Sequence, residues 1–360
     1  MASKNRPLHN RVNRQELREK MLQSNIARVT ISFYKYHNIE DPSEFRNQLF
    51  RDWLDIEVYG RVYVAKEGIN AQISVPEEKL EDFRDELYSI DFLDGVRLNI
   101  AYDDDGKSFS KLTIKVRPKI VADGLNDETF DPSNTGTYLK AEDFNELADK
   151  EDTIIVDMRN HYESEVGHFE GAILPDADTF KDELPMVEDM LQGKEDQNII
   201  MYCTGGIRCE KATAYFKHKG FKSIFHLEGG IIKYAQDVKK KGLDNKFKGK
   251  NFVFDERLGE RITDEIVSQC HQCGTPCDTH INCANDACHL LFIQCEDCKE
   301  TYDACCSQEC KTYIYLPEEE QKVLRQGLNK GRQVFKKGRL RPKIGENLIS
   351  KSLKLREEDL

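Results

Sequence analysis

The stretch Asn198-Ile199-Ile200-Met201-Tyr202-Cys203-Thr204-Gly205-Gly206-Ile207-Arg208 decides how this chain is read. Its first five residues are an apolar run that predicts a buried strand. Glu210-Lys211-Ala212-Thr213-Ala214-Tyr215-Phe216-Lys217 then has helix-forming composition, with apolar residues at helical spacing. Between strand and helix lies a six-residue loop that opens with Cys203 and closes with Arg208. Such a loop predicts an activated thiolate. Its N–H groups point inward, the helix N-terminus adds partial positive charge, and Arg208 supplies a full one. All three favour S⁻ over SH, so the Cys203 thiol is expected to be more acidic than usual. Gly205 and Gly206 let the backbone curl around the sulfur without Cβ clashes.

The alternation continues on both sides of the loop. Ala141-Glu142-Asp143-Phe144 starts a helix, Thr153 to Asp157 is a short strand ending in an acid, and Ser223 to Leu227 is a further strand. Alternation at this pitch over residues 137–245 predicts a parallel sheet covered by helices. Ligands sit at the carboxyl ends of strands in such sheets, where Cys203 and Asp157 both fall. Residues 28–106 read differently. Arg28 to Tyr36 alternates like a strand, and Asp41-Pro42-Ser43-Glu44 is a capped helix start. Gly60 to Ala65 and Asn70 to Val75 are strands, Pro76-Glu77-Glu78 opens a second helix, and Val96 to Ala101 is a fourth strand. The order βαββαβ predicts a ferredoxin-like (acylphosphatase-like) domain, which by itself fixes no chemistry. The expected organisation is α/β multidomain: a basic lead over 1–27, the ferredoxin-like domain over 28–106, a connector over 107–136 that holds one more apolar stretch (Leu112 to Val116), the parallel α/β domain over 137–245, a Cys-rich segment over 246–317 and a basic tail over 318–360.

The chain has 360 residues and a net charge of -12, yet its ends are basic. Residues 1–30 carry seven Lys/Arg against two Glu, and residues 322–356 carry twelve against the single acid Glu346. A basic tail on an acidic protein suggests local contact with a polyanion. No apolar run reaches membrane-spanning length, and the N-terminus lacks the apolar core of a signal peptide. Twelve cysteines without an export signal argue for metal binding or catalysis rather than disulfides, and for a cytoplasmic protein.

Three motifs at their usual spacing resemble the rhodanese domain: Asp157-Met158-Arg159-Asn160 with Tyr162-Glu163, Gly167-His168-Phe169-Glu170-Gly171-Ala172-Ile173, and Cys203 to Arg208. The resemblance implies a loop cysteine that carries a persulfide sulfur cradled by loop amides. The six-residue loop matches the sulfur-handling members, whereas the related phosphatases use a loop one residue longer. Thr204, Gly205, Gly206 and Ile207 would form the cradle, and Asp157 and Arg159 would brace it. Cys209 reads either as a resolving thiol or as a small buried residue on the first helical turn.

The likeness extends over nearly the whole chain. Lys66-Glu67-Gly68-Ile69-Asn70, the connector Lys115-Val116-Arg117-Pro118-Lys119-Ile120-Val121, the rhodanese unit, Cys270-His271-Gln272-Cys273-Gly274 and Cys288 to Cys295 occur in an order that resembles the bacterial oxygen-dependent tRNA uridine(34) hydroxylase family. That resemblance implies conversion of the wobble uridine to 5-hydroxyuridine with O2 as co-substrate, the first step toward 5-oxyacetate-type modifications, with an electron donor that is unknown. Two other readings remain open: a sulfurtransferase that passes persulfide sulfur to RNA or protein, and a tRNA-binding adaptor with a vestigial rhodanese core.

Ten cysteines fall within residues 270–310: Cys270, Cys273, Cys277, Cys283, Cys288, Cys295, Cys298, Cys305, Cys306 and Cys310. The pairs Cys270-x2-Cys273 and Cys295-x2-Cys298 have the spacing of structural zinc, and Cys306-x3-Cys310 points to a second site. Zinc is the leading reading and an iron–sulfur cluster its competitor. A tRNA partner needs positive surface, for which Arg117 and Lys119 on the connector and Arg332, Lys336, Lys337, Arg339 and Arg341 in the tail are candidates. Reading a uracil also needs a shelf for the base and a donor–acceptor set for its edge, which the sequence does not locate.

Overall fold

The computed structural model describes residues 14–125, 130–326 and 334. The tail candidates Arg332, Lys336, Lys337, Arg339 and Arg341 lie outside the described residues.

The N-terminal unit comprises α1 (Arg14–Gln23), β1 (Arg28–Tyr36), α2 (Pro42–Asp55), β2 (Tyr59–Ala65), β3 (Gly68–Pro76), α3 (Leu80–Tyr88), β4 (Asn99–Ile100) and β5 (Leu112–Val116). Asp41 caps α2 by accepting from the Ser43 and Glu44 N–H groups, with Pro42 opening the helix, so the start falls where the sequence sets it. The sheet order is β4-β1-β3-β2-β5, antiparallel except for the parallel β2–β5 pair. Strict alternation sends Ile31 and Phe33 of β1, Val62 and Val64 of β2 and Ile73 of β3 to one face, where α2 and α3 cover them with Leu49, Phe50, Trp53, Phe83 and Leu87. Leu112 to Val116, read as part of a connector, is the fifth strand of this sheet; its Leu112 and Ile114 complete the same core.

The central unit holds β6 (Thr137–Leu139), α4 (Ala141–Ala148), β7 (Thr153–Asp157), α5 (His161–Ser164), β8 (Gly167–Phe169), α6 (Phe180–Met190), β9 (Asn198–Tyr202), α7 (Ile207–His218), β10 (Ser223–Leu227) and α8 (Gly230–Lys241). A parallel sheet runs β6-β10-β9-β7. Its strands are apolar on both sides because both faces are covered. Ile199 and Met201 of β9 pack toward α6 and α7, while Ile200 and Tyr202 pack toward α4 and α8. The central position of β9 places Cys203 at the carboxyl edge of the sheet.

Beyond α8, β11 (Phe247–Asn251) pairs with β8 and with β12 (Glu260–Arg261). The Cys-rich segment contributes the hairpin of β13 (His280–Asn282) and β14 (Leu291–Ile293), then α9 (Glu296–Tyr302), α10 (Gln308–Ile314) and α11 (Glu318–Arg325). Among the described residues no helix is long and apolar enough to cross a membrane.

Candidate active site

The loop between β9 and α7 folds around the Cys203 sulfur. Gly206, which caps α7, has φ +103°, and a Cβ on it would stand 2.9 Å from Tyr34 Oη. Its N–H donates to Cys203 Sγ at 3.2 Å. Behind the loop, Ile231 N–H donates to the Cys203 carbonyl at 3.0 Å and Ile232 N–H to the Thr204 carbonyl at 3.3 Å, so the start of α8 holds the loop backbone. Gly230 at that junction has φ +67°, and a Cβ there would lie 2.5 Å from the Cys203 carbonyl oxygen. Cys203 itself is only 1% exposed. Burial alone would push its thiol up; the Cys209 thiol, the Arg208 charge and the Cys209 and Gly206 N–H groups outweigh it and bring the thiol down to about 6. Cys209 moves the other way, first through burial and then through the neighbouring Cys203 sulfur. It lies fully buried in the apolar cluster of Phe216 and Ala212.

Arg208 does not point as an unpaired cation at the loop centre. Its guanidinium donates from Nη1 and Nη2 to the two carboxylate oxygens of Glu163 at 2.7 and 2.9 Å. Glu163 is fully buried at the start of α5, where it also accepts from Asn160 N–H at 3.2 Å in a capping box. A second buried pair lies beside it. Arg159 donates from Nε and Nη2 to Asp157 at 2.8 and 2.7 Å, and Nη2 also reaches the Gly167 carbonyl at 2.6 Å. Asp157 and Arg159 thus tie the end of β7 to β8. Glu183 on α6 is a further buried carboxyl whose two oxygens have no hydrogen-bond partner among the described residues. Burial raises it well above the usual carboxylate range; Arg208 pulls it down, and Asp157, Glu163 and Cys203 push it up again. The Tyr162-Glu163 motif does not by itself show that Glu163 partners Arg208, and Glu183 lies outside all three motifs. The available signal was a glutamate set among Phe180, Leu184 and Val187 on the buried stripe of α6.

The N-terminal unit closes over this site. Tyr34 Oη donates to Glu210 Oε2 at 2.7 Å, Tyr36 Oη to the Ile207 carbonyl at 3.3 Å, and Asn99 Nδ2 to the Gly205 carbonyl at 3.4 Å. Lys211 of α7 is 2% exposed and pairs with Glu67 at 2.8 Å and Asp123 at 2.6 Å. The Lys66-to-Asn70 motif and the connector therefore meet on the helix that starts at the Cys203 loop. Lys119, an RNA candidate, is engaged there: its Nζ donates to Asp123 Oδ1 at 2.6 Å and to the Leu125 carbonyl at 2.7 Å. Arg117 is exposed, with Cζ 5.6 Å from the Tyr63 ring centroid. Thr204 Oγ1 has no partner among the described residues.

Eight of the ten clustered cysteines form two tetrads, Cys270/Cys273/Cys295/Cys298 and Cys283/Cys288/Cys306/Cys310, with the sulfurs of each within 4.8 Å of one another. A tetrahedral ion with metal–sulfur bonds of about 2.3 Å sets its sulfurs roughly 3.8 Å apart. The Cys273–Cys295, Cys288–Cys306 and Cys306–Cys310 separations of 3.6, 3.7 and 3.7 Å fit that spacing. Cys277 and Cys305 stand outside both tetrads: Cys277 packs with Tyr162, Phe252 and Ile293, and Cys305 packs with Leu290 and Phe292 with its thiol against the Cys283 sulfur. The nearby His271 is occupied by Glu165 at 2.9 Å.

A cysteine loop at the carboxyl edge of a parallel sheet, with Arg208 closing the loop, defines a rhodanese-like protein. Residues 140–237 match the rhodanese-like domain family, 248–311 the rhodanase C-terminal family and 28–120 the UPF0176 acylphosphatase like domain. A protein of Photorhabdus laumondii named tRNA uridine(34) hydroxylase is 58% identical over 344 residues, which is 95% of this chain and 98% of that protein. One of the same name from Yersinia pestis is 56% identical over 333 residues, 92% of this chain and 94% of its own. The chain belongs to the tRNA uridine(34) hydroxylase family. Among solved structures, the Alr3790 protein from Anabaena sp. aligns with 31% of this chain and 91% of its own at 19% identity, with a TM-score of 0.25.

Proposed function

We propose that this chain hydroxylates the wobble uridine of tRNA to 5-hydroxyuridine, with O2 as co-substrate, an external two-electron donor that reduces the second oxygen atom to water, and Cys203 as the reactive thiol. The observation that carries this is the buried thiol at about 6, held by loop N–H groups, in a chain 58% identical to a named tRNA uridine(34) hydroxylase. Uracil C5 is a poor nucleophile. A thiolate that adds to C6 converts the ring to an enolate whose C5 is electron-rich, and a sulfur ionised at neutral pH can begin that step. Because both Arg208 hydrogen bonds go to Glu163, the loop amides and the α7 N-terminus are the groups left to hydrogen-bond the anionic sulfur, while the Arg208 charge favours it through space. Arg208 then acts as a positioning residue that fixes the helix end. A tRNA substrate implies a cytoplasmic site of action.

Each tetrad in this reading holds one zinc ion. The sulfur spacing favours a single tetrahedral ion over a multi-iron cluster, whose sulfurs bind different irons and stand further apart. One metal would tie the Cys270–Cys273 turn to the start of α9, and the other would tie the turn of the β13–β14 hairpin to α10.

The same loop also suits a persulfide, so sulfur transfer is the alternative activity. Nucleosides of tRNA from a strain lacking the gene separate the two. Loss of a uridine carrying one extra oxygen, restored by the gene, supports hydroxylation. Loss of a thiolated base supports sulfur transfer and overturns the proposal.

A further inference from the structure

The N-terminal sheet has one face buried under α2 and α3 and a second face that carries neither helix. The second face is polar and aromatic. Register places two rows of side chains across it. One row runs Tyr34, Asn70, Tyr63 and Lys115 over β1, β3, β2 and β5. The next runs Asn99, Ser32, Gln72 and Arg61 over β4, β1, β3 and β2. Tyr34, Tyr63, Asn70 and Gln72 are half-buried, whereas Arg61, Lys115 and Arg117 are exposed along the β2–β5 side. The other end of both rows abuts the reactive loop: Tyr34 at Gly206 and Asn99 at Gly205. Phe254 closes one side, since Arg61 donates to its carbonyl at 3.3 Å while Arg208 Cζ lies 6.0 Å from its ring.

We propose that this face is a platform for single-stranded RNA, which stacks the target nucleotide on a tyrosine and reads its edge with the Asn70–Gln72 amides beside the Cys203 loop. The inference rests on the tRNA reading above and names the base-binding surface within it. Three features identify the occupant. Tyr34 and Tyr63 stand two strands apart, roughly 10 Å, which suits neighbouring unstacked bases. Gln72 Nε2 donates to Asn70 Oδ1 at 2.6 Å and Asn70 Nδ2 to the Ile120 carbonyl at 3.2 Å, which leaves the Gln72 Oε1 and an amide hydrogen to answer the adjacent N3–H and O4 of uracil. The exposed cations Arg61, Lys115 and Arg117 line one edge, as a phosphate backbone requires. A duplex would not present base faces to these rings, and a peptide would not need the row of cations.

The test uses the full chain and an anticodon stem-loop RNA with uridine or photoreactive 5-iodouridine at the wobble position. Cross-links from the iodouridine should map by mass spectrometry to peptides of β1 and β3 or of β2. Tyr63→Ala should raise Kd on the order of 5- to 100-fold with an unchanged salt slope, since stacking releases no counterions. Tyr63→Phe should bind as wild type. Arg117→Ala should instead reduce the salt slope by about one. Cross-links confined to other parts of the chain, or wild-type affinity in Tyr63→Ala, would overturn the platform. If wild type cross-links at the sheet yet tRNA chemistry proves to be thiolation, the platform stands and the hydroxylation reading falls. If wild type hydroxylates RNA while Tyr63→Ala binds and reacts equally well, the platform falls and hydroxylation stands.

Discussion

Replacement of Glu163 by Gln should separate the fold from the thiol chemistry at this site. Glu163 is fully buried and receives both Arg208 hydrogen bonds, at 2.7 and 2.9 Å. Removing one partner of a buried ion pair typically costs about 3–5 kcal/mol, because the other charge is left uncompensated. Glutamine's single oxygen can still accept from both Asn160 N–H and Arg208 Nη1, which share Oε1, but its NH2 then faces Arg208 Nη2, so the loss should be at least about 3 kcal/mol. At roughly 4 °C per kcal/mol for a unit somewhat over 100 residues, the melting transition of the central unit should fall by at least about 12 °C. The thiol should respond in the opposite sense. Loss of the carboxylate frees the Arg208 charge and removes a negative neighbour, so Cys203 should ionise at a lower pH than the present value of about 6. Thermal melts at neutral pH measure the first effect. Alkylation rates against pH, with peptide mapping to resolve Cys203 from the other thiols, measure the second. An unchanged melting temperature, or an alkylation midpoint that rises, would refute the reasoning.

Other consequences follow from the same geometry. Glu183 keeps its proton in the folded protein at pH values where an unfolded chain, with a carboxyl near 4.5, has lost it. Its contribution to stability is complete below about pH 4.5 and declines as pH rises toward the folded-state value. Glu183→Gln removes that penalty while keeping the neutral shape, so it should melt higher than wild type at pH 8 and equally at pH 4; no gain at pH 8 would contradict the buried neutral carboxyl. Metal analysis should find two zinc ions per chain, one for each tetrad. Cys270→Ser or Cys283→Ser should lower the count by one, whereas Cys277→Ser and Cys305→Ser should leave it unchanged, and a stoichiometry indifferent to all four would defeat the tetrads. Lys211→Met leaves Glu67 and Asp123 without their shared cation at the joint between the two α/β units. Limited proteolysis should then cut the connector faster, and an unchanged cleavage pattern would mean that the joint does not depend on this lysine.

The parts of the fold read correctly from sequence are those with local causes. Asp41 and Pro42 mark a helix start through bonds made within four residues, and the alternation of Arg28 to Tyr36 assigns a face to each side chain. The role of Leu112 to Val116 was not legible because its parallel partner, β2, lies some fifty residues earlier, and only the paired sheet shows that Ile114 belongs to the N-terminal core. The Cys203 loop follows the same rule. Its length, glycines and flanking strand and helix predict an acidic Cys203. The partner of Arg208 comes from a motif 45 residues away, so the sequence shows a free cation where the structure has an ion pair. Lys119 counted as surface charge for RNA until Asp123 and the Leu125 carbonyl accounted for it, whereas Arg117 kept its exposure. The zinc-type spacing pairs Cys270 with Cys273 and Cys295 with Cys298; it carries no information on Cys277 and Cys305, whose places outside the tetrads are set by packing with β13, β14 and their neighbours.

Cys203 is the point at which the sheet, the loop amides, the Arg208–Glu163 pair and the N-terminal sheet converge, and the account stands on its thiolate. The most direct measurement is mass spectrometry of wobble nucleosides from cells that lack the native gene, carry either this chain or its Cys203→Ala variant, and grow under isotopically heavy O2. The account predicts 5-hydroxyuridine with the heavy oxygen for the intact chain and its absence for the variant. Labelled 5-hydroxyuridine at equal level in both strains would contradict the role of Cys203, and unlabelled 5-hydroxyuridine would contradict O2 as its source.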